Sequence, residues 1–216
     1  MEYVPKPWGR EYLCWNSEST AIWALELDPQ KSTSFHCHCR KNTGLIVLSG
    51  QVSVELLSAK FDLCSLEKIN IFQRRFHKST SVSPQGSVML EIESPVEKED
   101  LVRWSDSHGR TDSRYESERR SFAKHEGFLD FNDCQINKAP IRKYGLEFWI
   151  GNSNSFNFTG DDESNLIVPL EGGLMHERES DLVVGPGDVL TLKVFKLLFE
   201  NFAPNKNFLS LYIKKH

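Results

Sequence analysis

The sequence predicts an all-β protein, a sandwich or small barrel, and three observations support this prediction. Short apolar runs recur about every ten residues between Gly, Pro, Asn and Asp turns, which is typical of such folds. No long helical period appears in the first half of the chain. Residues 45–50 and 166–172 are alike, each an apolar run that ends in glycine. This echo indicates a duplicated β unit, although any two buried strands that end in glycine look similar.

The first half divides into short strands in a regular order. Residues 1–20 contain Pro7 and Gly9 and are interpreted as an extended arm or edge strand rather than a helix. Turn residues at 28–31 and 83–86, together with Gly50, separate the runs that follow. The predicted strands are residues 21–27, 32–39, 45–48 and 51–57, a pair within 61–72, and 87–93.

Beyond residue 95 the chain changes character twice. Residues 96–127 are dense in charge and poor in aliphatic residues, so we expect a solvated linker with a helical turn or two. A second β-rich part follows, with predicted strands at residues 144–150, 165–170, 182–184, 189–194 and 208–213. We therefore divide the chain into a first barrel (1–95), a linker (96–127) and a second barrel-like unit (128–216).

Composition narrows the class of protein. A chain of 216 residues with 39% hydrophobic residues is long enough for one large or two small folded domains. A net charge of −4 gives no electrostatic reason to expect nucleic acid as a partner. No signal peptide is evident, and no apolar run approaches the roughly 20 residues that span a bilayer. We expect a cytoplasmic protein whose five cysteines are reduced.

Two histidines, His36 and His38, lie two positions apart in a predicted strand. Side chains at positions i and i+2 of a strand point to the same face, so the two imidazoles converge as metal ligands do. The alternative is a polar strand edge with two unrelated histidines. Cys37 and Cys39 alternate with the histidines and face away from them, which makes a Cys2His2 zinc site awkward; we expect buried small side chains instead.

The spacing around these histidines resembles the first signature of the cupin superfamily. It reads His36-x-His38, four residues, position 43, six residues and then Gly50, and His77 matches the histidine of the second signature. The segment Lys6-Pro7-Trp8-Gly9 and the strands after it are similar to the cupin domain of type II mannose-6-phosphate isomerases and related sugar-phosphate isomerases. The resemblance covers residues 5–95, and residues 165–213 look like a second, degenerate unit.

The resemblance implies a cupin double-stranded β-helix, or jelly-roll, barrel, duplicated as a bicupin with a degenerate second unit. It also implies that His36, His38 and His77 bind a divalent metal ion: zinc, iron, manganese or nickel, which imidazole ligands do not distinguish. The family's carboxylate ligand falls at position 43, where this chain has Thr43. The implied site is therefore three neutral imidazoles, which leave the charge of the ion to an anionic ligand.

Charged residues near the histidines are further candidates. Glu91 and Glu93 share one face of a predicted strand, and either is a candidate general base, although ion-paired carboxylates are commoner. Four basic residues are candidates for binding a sugar phosphate, and each one singly is as readily a solvated loop residue. They are Arg40, Lys41, Arg74 and Arg75.

The resemblance implies a metal-dependent cupin that acts on a sugar or sugar phosphate as an isomerase or epimerase. Two alternatives stay open: a non-catalytic carbohydrate-binding or regulatory cupin, which the loss of the glutamate at position 43 favours, and a three-histidine iron dioxygenase. The expected ligand is a small-molecule sugar or sugar phosphate, with a homodimer as one option for assembly. We expect neither nucleic acid nor membrane as a partner.

Overall fold

The computed structural model describes residues 2–109, 118–123, 127–132, 139–152, 163–176 and 181–216. Within these ranges the chain forms twenty β-strands and one short helix, so the predicted all-β class is confirmed. No helix in the described part of the chain is long and apolar enough to span a membrane.

The first half forms a double-stranded β-helix barrel from two antiparallel sheets. Its strands are β1 (Glu2–Lys6), β2 (Gly9–Asn16), β3 (Ala21–Leu27), β4 (Phe35–Cys37), β5 (Asn42–Ser49), β6 (Val52–Leu56), β7 (Lys60–Leu63), β8 (Lys68–Ile71), β9 (His77–Ser81), β10 (Ser87–Ser94), β11 (Val102–Ser105) and β12 (Arg120–Ser121). The larger sheet has the order β12-β1-β2-β3-β10-β5-β8, and the smaller has β11-β4-β9-β6-β7. Apolar residues from both sheets, among them Leu25, Val47, Val54 and Met89, fill the space between them.

The second half repeats this plan with fewer strands. They are β13 (Ile141–Lys143), β14 (Leu146–Asn152), β15 (Leu166–Glu171), β16 (Leu174–Met175), β17 (Leu182–Val184), β18 (Leu190–Thr191), β19 (Ala203–Pro204) and β20 (Leu209–Lys215), with helix α1 (Leu192–Phe199) between β18 and β19. One sheet has the order β13-β14-β20-β15-β18, and the other has β17-β16-β19.

The repeated strand order supports the predicted duplication. In the first half, β3-β10-β5-β8 are neighbours, and in the second half β14-β20-β15-β18 are neighbours. Within each set of four, the strand that comes last in the chain lies between the first and the second. The smaller sheets agree as well, because β9-β6-β7 corresponds to β19-β16-β17.

The expected strand at residues 189–194 is wrong in its second part, where helix α1 begins. The hydroxyl of Thr191 caps the helix by accepting a hydrogen bond from the backbone N–H of Val194. Leu192 and Phe195, three positions apart, are fully buried and pack into the interior of the second half. A Thr cap followed by apolar residues at helical spacing was the signal for a helix.

The two halves pack face to face through a shared core. In β5, Leu45 and Val47 belong to the interior of the first barrel, whereas Ile46 and Leu48 belong to the core shared with the second half. A strand buried on both faces has no polar alternation, which explains the continuous apolar run that ends at Gly50.

Strand β15 shows the same arrangement. Val168 and Leu170 point into the shared core, and Ile167 points into the second half's own interior. Gly50 and Gly172 both follow their strands with positive φ, at 75° and 62°. The echo noted in the sequence therefore aligns from these glycines backwards, with Ile46 matching Val168.

Part of the segment predicted as a solvated linker packs against the first barrel. Strand β11 pairs with β4, and the side chain of Asp100 is 3% exposed. Lys98 lies 3.3 Å from Glu11 and 3.5 Å from Glu93. Asp100 is buried and Lys98 is half-buried, and both have polar partners, so a high density of charge did not mean full exposure to solvent. The boundaries at residues 95 and 127 stay predictions.

Gly44 provides a test of the shared core. A Cβ atom at this position would lie 2.5 Å from Cγ2 of Val189, which is buried in that core. We expect Gly44→Ala to lower the free energy of unfolding by about 1–3 kcal/mol through overpacking. In Gly44→Ala/Val189→Ala the added methyl fills the space that the valine leaves. The double variant should therefore lose less free energy of unfolding than the two single variants lose when their losses are added. Urea denaturation measures this coupling, and simple additivity would contradict the contact.

Candidate metal centre

Three histidines come together at one end of the first barrel. His36 lies in β4, His38 follows that strand, and His77 begins β9, directly opposite His36 in the strand pairing. The three side chains are buried, and one ring nitrogen of each lies within 4.8 Å of the other two. The predicted grouping of these three residues is therefore present in the structure.

Each imidazole is held by a backbone carbonyl at its Nδ1 atom. His36 Nδ1 lies 2.8 Å from the carbonyl oxygen of Ser34, and His77 Nδ1 lies 3.0 Å from that of Arg75. His38 Nδ1 contacts the carbonyl oxygen of Asp100. A carbonyl only accepts, so Nδ1 carries the proton and Nε2 presents its lone pair.

This arrangement fits a bound divalent ion. Metal-binding histidines usually donate their other N–H to a carbonyl or carboxylate in this way. Nε2 of His38 is buried and makes no hydrogen bond to any described residue, which is costly unless another group uses its lone pair. The donor set of three imidazoles suits zinc, iron, manganese or nickel.

The histidines are also in the charge state that a metal needs. Burial lowers the pKa of His38 to about 3, with a further contribution from Lys41 and His77. Burial likewise lowers the pKa of His77 to about 4 and that of His36 well below its ordinary value. Neutral imidazoles at pH 7 bind a metal ion without first losing a proton.

Thr43 does not replace the family's carboxylate. It is buried in β5 and paired with Glu93 of β10, so it shares the barrel-facing side of the sheet with Glu93 without itself lining the cavity. Its hydroxyl makes no hydrogen bond to a described residue. Among the described residues, the group of side chains close enough together to hold a metal ion is His36, His38 and His77.

The histidines line a cavity of about 590 Å³, measured with its open mouth. The Trp8 side chain, 4% exposed, lines it, as do the hydroxyl residues Thr33, Ser34 and Ser79. Charged residues make up much of the remaining wall. They are Lys6, Glu11, Lys41, Glu91, Glu93, Lys98 and Arg103.

The two candidate glutamates lie in different environments. Glu91 Oε1 lies 3.9 Å from Nε2 of His38, and burial raises the Glu91 pKa to about 7. Burial opposes ionisation of Glu93 as well, but the ammonium groups of Lys98 and Lys41 outweigh it and hold its pKa below the usual value. When two neighbouring carboxylates have different pKa values, one can exchange a proton near neutral pH while the other stays charged.

Of the four basic residues predicted to bind substrate, Lys41 lines the cavity. It is 1% exposed, and its ammonium group lies 2.6 Å from Glu93. Arg40 is exposed and bonds Glu97, while Arg74 and Arg75 are exposed outside the cavity walls.

Four charged wall residues were missed by sequence reasoning. Lys6 lies 3.6 Å from Glu11 across the β1–β2 hairpin, and Lys98 joins Glu11 to Glu93. Arg103 lines the cavity from β11, where it is paired with His36 of β4. These side chains come from separate segments, and each resembles a solvated surface charge when viewed alone.

The cysteines next to the histidines do not join the site. Cys37 is 4% exposed, as expected for a small buried side chain, and Cys39 is half-buried. Cys14, Cys37, Cys39 and Cys64 are free thiols, and Cys134 lies outside the described residues.

No family model and no curated protein sequence matches the chain. Among solved structures it resembles cupin double-stranded β-helix proteins over part of its length. KdgF from Halomonas sp. shares 18% identity with a TM-score of 0.41, over 43% of this chain and 84% of that one. An uncharacterized Klebsiella pneumoniae protein with a double-stranded β-helix domain shares 12% identity with a TM-score of 0.37, over 39% and 75%. A cupin-superfamily sugar phosphate isomerase from Silicibacter pomeroyi shares 10% identity with a TM-score of 0.34, over 36% and 52%.

Removal of one imidazole tests the metal centre. We expect His36→Ala or His38→Ala to abolish stoichiometric binding of zinc or manganese, because two neutral ligands hold an ion poorly. Elemental analysis and titration calorimetry measure the loss, and circular dichroism checks that the fold is retained. Ser210→Ala, a buried change in β20 of the second half, is the control and should bind as the unchanged protein does. Unaltered binding by both histidine variants would place the ion elsewhere.

The buried ion pair between Lys41 and Glu93 provides a second test. Lys41→Met leaves the Glu93 carboxylate without its nearest cation, so we expect stability to fall by about 3–5 kcal/mol in urea denaturation. Arg40→Met is the control, because solvent screens the ion pair of its 62% exposed side chain and its removal should change stability little. Lys41→Met/Glu93→Leu should recover much of the loss. Equal costs for Lys41→Met and Arg40→Met would show that burial does not matter for this pair.

Proposed function

We propose that the chain is a metal-dependent enzyme that acts on a sugar or sugar phosphate as an isomerase or epimerase. The supporting observation is the set of three carbonyl-anchored histidines on the wall of a cavity that also contains a carboxylate close to them.

The chemistry of the wall suits a polyhydroxylated ligand. Lysine ammonium groups and the hydroxyls of Ser34 and Ser79 donate hydrogen bonds, and the carboxylates of Glu11 and Glu93 accept them. Trp8 offers an apolar surface to the carbon atoms of a sugar ring. A neutral imidazole set adds no negative charge, so an oxygen anion of the substrate is a favourable further ligand.

Aldose–ketose isomerisation requires a base beside the carbonyl group of the substrate. A bound metal ion supplies Lewis-acid polarisation of that carbonyl. In this proposal Glu91, 3.9 Å from Nε2 of His38, takes a proton from the adjacent carbon and returns it to the neighbouring carbon. Glu93 stays ionised and fixes Lys41, whose positive charge stabilises negative charge that develops on the substrate oxygens.

The direct test loads the protein with zinc, manganese, nickel or ferrous iron and offers a panel of aldose and ketose phosphates and free sugars. NMR follows interconversion and the incorporation of deuterium from D2O at the exchanged carbon. Absence of turnover and of exchange with a metal-loaded site would overturn the proposal. Sugar binding without exchange would favour the carbohydrate-binding alternative, and oxygen uptake that depends on ferrous iron would favour the dioxygenase.

Glu91→Gln tests the proton-transfer step. Glutamine keeps the shape of the side chain but cannot accept the proton, so we expect the turnover rate to fall by about 10²–10⁴-fold with the metal content unchanged. The control is Glu55→Gln, whose carboxylate is about half exposed and bonds Lys78 away from the cavity. Retained activity in Glu91→Gln would exclude Glu91 as the base.

A further inference from the structure

We infer that Asp100 is a positioning residue of the histidine site, which fixes His38 and the turn after it in the orientation that a metal ion requires. The inference rests on the metal site of the proposed function. Asp100 does not line the cavity, and its contact with the site is the hydrogen bond to His38, so it acts through that residue.

The Asp100 side chain binds the turn that follows His38. Its Oδ1 atom accepts a hydrogen bond from the backbone N–H of Cys39 at 3.0 Å. Its Oδ2 atom accepts from the N–H groups of Arg40 and Lys41 at 2.7 and 3.1 Å. Three N–H donors on one carboxylate, itself 3% exposed, fix both the turn and the aspartate.

The backbone of the same residue holds His38 itself. The carbonyl oxygen of Asp100 accepts the hydrogen bond from His38 Nδ1. Asp100 therefore binds the histidine ring with its main chain and the next three residues with its side chain. Without the contacts of this side chain, the turn after His38 could move relative to residue 100. The distance between the Asp100 carbonyl and the His38 ring would then no longer be fixed.

This dependence distinguishes His38 from the other two histidines. His36 and His77 are anchored by carbonyls two residues earlier in the chain, at Ser34 and Arg75, so each is held by the segment that leads into its own strand. The anchor of His38 lies 62 residues away. A change at residue 100 should therefore disturb His38 selectively.

The turn also connects His38 with the charges of the cavity. Lys41, whose N–H bonds Asp100, extends its ammonium group to within 2.6 Å of Glu93. Strand β11 begins two residues after Asp100 and pairs Arg103 with His36. Asp100 thus lies where the segment 96–105 meets the histidine strand.

The experiment compares Asp100→Asn with the unchanged protein. An amide has one acceptor oxygen, so it cannot satisfy all three N–H groups, and its own N–H2 faces at least one of them. We expect the Kd for zinc or cobalt to rise by about 10–100-fold, the usual effect of losing such a supporting contact. In the metal-free protein, 15N NMR should show the His38 ring losing its fixed Nδ1–H form while His36 and His77 keep theirs.

Glu97→Gln is the matched control, because it lies in the same segment and its carboxylate bonds exposed Arg40. It should change neither the Kd nor the imidazole signals. If Asp100→Asn fails to fold, Asp100→Glu keeps the charge but displaces it by one methylene, and the same selective change at His38 is expected.

Unchanged metal affinity with an unchanged His38 signal would overturn the inference. So would equal disturbance of all three histidines, which would indicate general loosening of the fold. The NMR measurement uses metal-free protein, so it decides the role of Asp100 even if no sugar is turned over.

Discussion

The packing of the two halves against each other is the constraint on which the rest of the structure depends. Strands β5 and β10 of the first half carry apolar residues on both faces, and one of those faces is covered by β14, β15 and β20 of the second half. The core formed there includes Ile46 and Ile92 from one half and Phe148 and Leu211 from the other. Neither sheet could expose such a face to water without a large hydrophobic cost.

With one face of the large sheet secured in this way, its other face can carry charge. Glu91 and Glu93 in β10 point into the barrel, whereas Leu90 and Ile92, which alternate with them along the strand, point into the shared core. Burying carboxylates and lysines costs free energy unless every charge has a partner. The chain of contacts from Lys6 through Glu11, Lys98 and Glu93 to Lys41 supplies those partners.

The second half has the same strand order, but a helix packs in its interior. Where the first half has a short connection between β8 and β9, the second has helix α1, whose Phe195 side chain packs in the interior. The strand that carries His36 in the first half corresponds to the interval between β14 and β15, and residues 153–162 contain no histidine. The first half thus has a cavity lined by three histidines, and the second covers its sheet.

The sequence was sufficient to predict the all-β fold class and the grouping of the three histidines. The two-residue period of a strand places His36 and His38 on one face, and glycines with positive φ end the two echoing strands. Helix α1 was missed, although Thr191 and the spacing of Leu192 and Phe195 were visible, because a short apolar run fits a strand as well as a helix.

Tertiary structure alone decided which charges surround the histidines. Arg74 and Arg75 lie as near to His77 in sequence as Lys41 does to His38, yet Lys41 is buried in the cavity wall and the arginines are exposed. Lys98 and Asp100 appeared to belong to a solvated linker, but Asp100 is buried and bonds the N–H of Cys39, 61 positions earlier, and Lys98 is half-buried beside Glu11 of β2. The difference arises because the energy of a charged side chain depends on partners that long-range strand pairing supplies, and a local stretch of sequence does not contain them.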